Sequence, residues 1–216
     1  MRPDPLILAF DTSAAHCAAA LLLGDRILAE RHEAMDKGQA ERLLPLCAEL
    51  LTETGHDWPD LSAIAVGTGP GNFTGIRIAV AAARGLALSL NIPAIGVTRL
   101  EALAHGLPRP LAVVEDARRG EVYLQEFDPD PDAARLTTLA ALPHELGPLA
   151  LVGSAAEAAV AALPGARLLH QPDPLHIATA RIAARRLGTP QPKPAPFYLR
   201  GADAAPPTDP PPVILP

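Results

Sequence analysis

The chain has 216 residues, 49% of them hydrophobic but only 3% aromatic, and a formal net charge of -6. That length makes one large domain or two small ones, with a core filled by Ala, Leu, Val and Ile rather than by rings. Lys37 and Lys193 are the only lysines. So acidic a balance excludes stand-alone nucleic-acid binding, because phosphate neutralisation dominates that affinity. The pairs Arg118–Arg119 and Arg185–Arg186 leave room only for a contribution inside a larger complex.

Taken in chain order, Leu6 to Phe10 is a short apolar run that ends at Asp11-Thr12-Ser13 and reads as a buried strand feeding a polar turn. Cys17 to Leu23, a turn at Gly24-Asp25-Arg26, and Ile27 to Glu33 complete an antiparallel meander of three strands. Cys17 and Cys47 sit in apolar runs outside any Cys-x-x-Cys pair, which predicts buried thiols in a reducing compartment. From Gly38 to Thr54 the period turns helical, with Leu43, Leu44, Cys47, Leu50 and Leu51 in phase, Leu46 widening the apolar face, and Pro45 predicting a kink or a late start. Ser62 to Val66 is a fourth strand, Phe73 to Leu90 a long helix, Ile92 to Val97 a fifth strand, and Thr98 a plausible N-cap for a helix over Arg99 to His105. Three antiparallel strands followed by βα units is the ribonuclease-H-like topology of actin-type and sugar-kinase-type ATPases.

The second half repeats the theme in reduced form. Leu111 to Asp116 and Glu121 to Phe127 read as a hairpin around Ala117-Arg118-Arg119-Gly120, followed by a loop at Asp128 to Asp132. Strands are expected at Leu149 to Val152 and Arg167 to His170, and helices at Ala155 to Leu163 and Leu175 to Leu187. The organisation predicted is an α/β, actin-like fold of two mixed-sheet lobes: a first lobe over 1–107, a smaller one over 108–200, and a proline-rich tail over 201–216. The proline density from Thr189 onward predicts extended, surface-hugging or disordered chain. Met1-Arg2-Pro3-Asp4-Pro5 does not open a signal peptide, and the apolar run from Ala79 to Leu90 is broken by Arg84, so the expectation is a cytoplasmic protein without a membrane span.

The stretch Gly67-Thr68-Gly69-Pro70-Gly71-Asn72-Phe73-Thr74-Gly75-Ile76-Arg77 carries most of the functional information. A glycine loop between a strand and a helix aims backbone N–H groups and a positive helix end at whatever lies above it. It matches neither Gly-x-x-x-x-Gly-Lys-Ser/Thr nor Gly-x-Gly-x-x-Gly. Three readings stay open: a phosphate, another chain's backbone, or a turn whose glycines only let strand and helix pack. Asp11-Thr12-Ser13 and Asp116-Ala117-Arg118 sit where an ATPase of this topology holds metal-bound water and phosphate; equally they are strand-end turns capping backbone groups. The seven histidines form neither His-x-x-x-His nor His-Glu-x-x-His, no Gly-x-Ser-x-Gly elbow is present, and His170 and His176 beside a proline-rich loop read as surface residues. No catalytic residue and no metal ligand is assigned. Small residues on one side of the long helix (Gly75, Ala79, Ala82, Ala83) and leucines around more than one face of the first helix point to a helical interface.

Five segments in one order carry a family resemblance. They are Ile7-Leu8-Ala9-Phe10-Asp11-Thr12-Ser13, Glu41-Arg42-Leu43-Leu44-Pro45-Leu46, Gly69-Pro70-Gly71-Asn72-Phe73-Thr74-Gly75-Ile76-Arg77, Asp116-Ala117-Arg118-Arg119-Gly120-Glu121-Val122-Tyr123, and Pro196-Phe197-Tyr198-Leu199-Arg200. Together they resemble the bacterial TsaB (YeaZ) family. Asn72 stands where a serine is more usual, and Gln39-Ala40 where members often keep a histidine. The resemblance implies a non-catalytic scaffold of actin-like fold that binds and activates TsaD, works with the ATPase TsaE in threonylcarbamoyl transfer to the tRNA adenosine beside the anticodon, and forms a homodimer when alone. It implies a partner interface on the two helices, assigned here to Glu41, Arg42, Leu43, Leu46, Leu50, Phe73, Arg77, Ala79, Val80 and Ala83. Loops for nucleotide or interface contacts are Asp11, Thr12, Ser13, Gly69, Gly71, Asn72, Thr74, Gly75, Asp116, Arg118 and Arg119. No intrinsic cofactor is expected; ATP or ADP is placed at the complex interface, and tRNA is met only through the complex. The alternative reading is an intrinsic ATPase or kinase with Asp11 and Asp116 as metal and water holders.

Overall fold

The computed structural model describes residues 4–142, 146–147 and 149–200. Two five-stranded sheets run in the orders β3-β2-β1-β4-β5 and β10-β9-β6-β7-β8. The first holds β1 (Leu6–Asp11), β2 (His16–Leu23), β3 (Arg26–Ala34), β4 (Ala63–Gly67) and β5 (Ala94–Val97). The second holds β6 (Leu111–Asp116), β7 (Glu121–Phe127), β8 (Arg135–Thr138), β9 (Ala150–Val152) and β10 (Arg167–Leu168). In each sheet the first three strands in chain order pair antiparallel and the fourth joins the first in parallel, so β1 pairs with β2 and β4, and β6 with β7 and β9. This is the duplicated architecture of the actin-like ATPase fold.

β1 is buried at every position because both faces of its sheet are covered, and a strand covered on both faces reads as an unbroken apolar run. Leu6, Leu8 and Phe10 pack toward helices α1 (Gln39–Glu53) and α2 (Phe73–Leu90). Ile7 and Ala9, with the opposite parity, pack toward Ala180 and Ala183 of the last helix, α5 (Leu175–Arg186). That assignment corrects the predicted domain division. Helix 175–186 was expected in the second lobe, yet it is the second cover of the first sheet, and residues beyond it stay there: the Phe197 N–H donates to the Thr68 carbonyl at 2.8 Å. The second lobe is therefore the sheet of β6 to β10 with α4 (Ala156–Ala162) on one face and α3 (Arg99–Ala104) against the other. α3 begins with a capping box in which Thr98 and Glu101 bond reciprocally.

α1 runs without interruption through Pro45, which occupies an exposed position. Neither β8 nor a single 3-10 turn at Trp58–Asp60 was anticipated. His144 and the proposed tail 201–216 lie outside the described residues. α2 has the length and mean hydropathy, 1.4 over 18 residues, of a membrane-crossing helix. Its Gly75, Ile76, Ala79, Val80 and Ala83 are nonetheless core residues against the first sheet.

His176 is not a surface residue: it is 3% exposed, and its Nε2 lies 2.6 Å from Glu30 Oε2 on β3. Burial pulls its pKa down, with Glu30 opposing. The rings of His16, His32 and His176 follow one another at centroid distances of 4.8 and 6.2 Å, from Asp11 to Glu30.

Cys17 and Cys47 are both fully buried and free. Burial pushes the Cys17 thiol up to about 11 and the Cys47 thiol further still. The thiolate is the reacting form, so neither cysteine is expected to react with a disulfide reagent at neutral pH in the native state. Both should react once the chain is unfolded in denaturant, and a rapid native-state thiol count above zero would contradict the placement.

Candidate functional site

The glycine loop closes onto the turn after β1. The Asn72 N–H donates to the Ser13 carbonyl at 2.6 Å, and Thr12 Oγ1 donates to the Gly75 carbonyl at 2.7 Å. A Cβ on Gly75 would lie 1.8 Å from the Thr12 carbonyl oxygen, one on Gly71 2.3 Å from that of Ser13, and one on Gly67 1.8 Å from Asp11 Oδ2. Of the three readings left open by the sequence, this geometry selects close packing, and the backbone approached belongs to the same chain. Gly69 has φ +92°, a left-handed conformation that asks for glycine. The first turn of α2 is capped from within as well: Asn72 Oδ1 accepts from the N–H groups of Thr74 and Gly75 at 3.0 and 3.2 Å.

Asp11 is 6% exposed, and one of its oxygens is crowded with donors: Oδ1 accepts from the Ser13 N–H at 2.9 Å and the Ser13 hydroxyl at 2.8 Å, and lies 2.9 Å from His16 Nε2. Burial alone would raise its pKa, but the bonds from His16 and Ser13 outweigh it and leave the carboxyl below its ordinary value. The Oδ1 side of Asp11 is thus taken up by the chain's own Ser13 and His16.

From the loop a bonded path crosses to the second lobe. The Arg99 N–H donates to the Gly69 carbonyl at 2.7 Å, Arg99 Nε to Glu115 Oε1 at 2.7 Å, and the Ser154 N–H to Glu115 Oε2 at 2.8 Å. Ser154 Oγ in turn accepts from the Asp116 N–H at 2.9 Å. Arg118 and Arg119, at φ 64° and 56°, turn the β6–β7 hairpin outward, and Asp116 Oδ1 accepts from the Arg118 N–H at 3.0 Å. Arg200 closes the hairpin from behind, donating to the Ala117 carbonyl at 2.8 Å and to Glu121. Asp116, Arg118, Arg119 and Gly120 remain exposed.

The residues assigned to a partner interface divide sharply. Leu43, Leu46, Leu50, Ala79, Val80 and Ala83 are at most 4% exposed and belong to the core between α1, α2 and the first sheet. The apolar stripe that suggested a partner is satisfied by the protein's own sheet. Arg42 is committed too, bonding Glu33 and Glu49 with its Nε and both terminal nitrogens at 2.6 to 2.7 Å. Glu41, Phe73 and Arg77 do face outward; the Arg77 guanidinium lies 3.7 Å over the Phe73 ring, which stacks on Tyr198 at 5.1 Å. The interface assignment left out two large apolar residues that are exposed on these helices, Leu44 at 44% and Leu88 at 85% exposure. Exposed Pro45 beside Leu44, and exposed Ala81 and Gly85 before Leu88, extend that surface. Phase was the available signal for Leu88, which falls opposite the positions of α2 that face the sheet, whereas Leu44 sits at the edge of the apolar stripe it shares with Leu43 and Cys47.

A family described as "TsaD: tRNA N6-adenosine threonylcarbamoyltransferase" matches residues 27–135. The Escherichia coli strain K12 "tRNA threonylcarbamoyladenosine biosynthesis protein TsaB" is 40% identical over 130 residues, which cover 57% of this chain and 55% of that protein, little more than half its length. An uncharacterized protein of Mycobacterium tuberculosis strain H37Rv is 33% identical over 204 residues, 93% of this chain and 94% of that protein. Among solved structures, YeaZ from Pseudomonas aeruginosa superposes with a TM-score of 0.71 at 29% identity, over 90% of this chain and all of that one. With the two-lobed fold, the glycine loop seated on the first turn, and these similarities along its length, the chain belongs to the TsaB (YeaZ) family.

Proposed function

We propose that this chain is a non-catalytic subunit of tRNA threonylcarbamoyladenosine biosynthesis, a scaffold that binds and activates the TsaD threonylcarbamoyltransferase. The observation that carries the reading is the outer sides of α1 and α2, where Leu44 and Leu88 stand 44% and 85% exposed on helices whose inner sides pack on the first sheet. Large exposed apolar side chains on a rigid helix suit a protein partner better than solvent. The non-catalytic part is supported by Asp11, whose Oδ1 is already occupied by Ser13 and His16. In this reading the same face makes a homodimer when the chain is alone, TsaE joins the assembled pair, and ATP or ADP is held between this chain and TsaD beside Arg118 and Arg119. The tRNA is met through the complex, in keeping with a net charge of -6.

Size exclusion with light scattering, on this protein with and without TsaD from the same source, is the test. A one-to-one complex should replace the homodimer. Leu88→Glu leaves the core untouched, and should weaken both assemblies by about tenfold or more, as loss of an interface anchor does. Leu46→Glu tests nothing of the interface, because Leu46 is fully buried and the variant would unfold. Undiminished complex formation by Leu88→Glu combined with Leu44→Glu would refute the assignment of this face.

A further inference from the structure

Behind α3, away from the glycine loop and the outer faces of α1 and α2, lies a cavity of about 290 Å3 lined in part by Glu101, His105, Arg109, Phe127, Arg185 and Arg186. His105 closes α3 and is 8% exposed, yet neither ring nitrogen has a hydrogen-bond partner. A buried imidazole with both nitrogens idle is costly, since each idle group forfeits the hydrogen bonds it had in water. The charges around it are unbalanced. Glu101 is consumed by Arg186, with which it forms an ion pair, and by the Thr98 N–H and hydroxyl at 2.8 and 3.0 Å. Asp173 pairs with Arg181 at 3.1 Å, an ion pair without hydrogen-bond geometry. Among the described residues Arg109 finds only the Ala104 carbonyl at 2.9 Å and the face of Phe127 at 4.7 Å. Arg185 makes no hydrogen bond or ion pair among the described residues. Two guanidinium groups without a carboxylate therefore flank a buried, unpaired histidine, in a chain whose overall charge is -6.

We infer that this cavity is a binding site for a small oxyanion, a ligand carrying phosphate or carboxylate groups, received by His105, Arg109 and Arg185. Arginine forks match both oxyanions with paired N–H donors, and one nitrogen of neutral His105 supplies a further donor from the cavity wall. Burial pulls the His105 pKa down, with Arg185 adding to that effect and Asp173 opposing it; a bound anion supplies the partner its ring lacks. The volume sits at the low end of ligand pockets, which fits a phosphate or a small carboxylic acid and not a whole nucleotide.

The test is histidine-resolved NMR with calorimetry on the full chain, titrated separately with inorganic phosphate and with citrate. The His105 ring signals are expected to move with saturation, and Arg185→Ala, an exposed position, to weaken binding by about tenfold or more while the fold is retained. Arg185→Lys should recover part of the loss, and Arg84→Ala, on α2 and outside the cavity, should leave binding unchanged. Saturation by phosphate alone marks a phosphoryl ligand, and saturation by citrate alone a carboxylate; each supports the site. Unmoved His105 signals with both anions at tens of millimolar, or binding unchanged in Arg109→Ala combined with Arg185→Ala, would overturn it.

Discussion

Gly75→Ala should destabilise this protein by about 3 kcal/mol or more, although it replaces glycine by the best helix former inside a helix. Helix propensity alone argues for a gain of about 1 kcal/mol. The opposing effect is steric and larger: the new methyl would stand 1.8 Å from the Thr12 carbonyl oxygen, a backbone atom that cannot rotate away. Relief requires the α2 terminus or the β1–β2 turn to shift, and either shift strains the bonds from Thr12 Oγ1 to the Gly75 carbonyl and from the Asn72 N–H to the Ser13 carbonyl. Gly85 supplies the comparison within the same helix. A Cβ there meets nothing within 4 Å, so Gly85→Ala should gain about 0.5–1 kcal/mol from propensity and reduced unfolded-state entropy. Urea unfolding of the two variants separates the effects. Equal midpoints would mean that the glycine loop does not press on the first turn as described.

That contrast also shows what kind of information the sequence holds. The strand-loop-helix order around Gly67 to Gly75 is legible because glycine, asparagine and the apolar run after them each have a local physical reason to be there. What the glycines make room for is not local. The occupant, Asp11-Thr12-Ser13, lies some 60 positions earlier, and Thr12 bonds to Gly75 across a separation of 63. The same limit explains the helices. Periodicity finds that Leu43, Leu46 and Leu50 share a face, but not whether that face meets the protein's own sheet or another chain. Alanine-rich α2 is harder still, since Ala79 in the core and Ala81 in the open differ in nothing but phase. His176 reads as a surface residue because Pro172 and Pro174 precede it. It is buried because α5 returns to cover the first sheet, bringing it to Glu30 across 146 positions. β8 is only four residues long, Arg135-Leu136-Thr137-Thr138, and owes its strand to the neighbour β7 rather than to an alternating pattern of its own.

Asp11→Ala carries the second large effect, a loss of about 3 kcal/mol, because it strips partners from the Ser13 N–H, the Ser13 hydroxyl and His16 inside a closed turn. Asp11→Asn keeps an acceptor oxygen in place and should cost less, about 1–2 kcal/mol. The pH dependence separates the carboxylate's charge from its shape. In the folded chain Asp11 titrates below its ordinary 3.8. A carboxyl whose folded pKa lies below its unfolded one stabilises fully above the unfolded value and loses that contribution as pH falls through the folded one. The stability gap between the parent and Asp11→Asn should therefore hold steady at neutral pH and shrink below about pH 4. Here the ATPase reading and the scaffold reading part company. If Asp11 serves the fold of its own turn, Asp11→Asn is marginally less stable, still pairs with TsaD, and changes no nucleotide binding by the isolated chain. If the parent instead binds Mg-ATP alone and Asp11→Asn abolishes that binding at unchanged stability, then the carboxylate is held for a metal and the non-catalytic assignment fails.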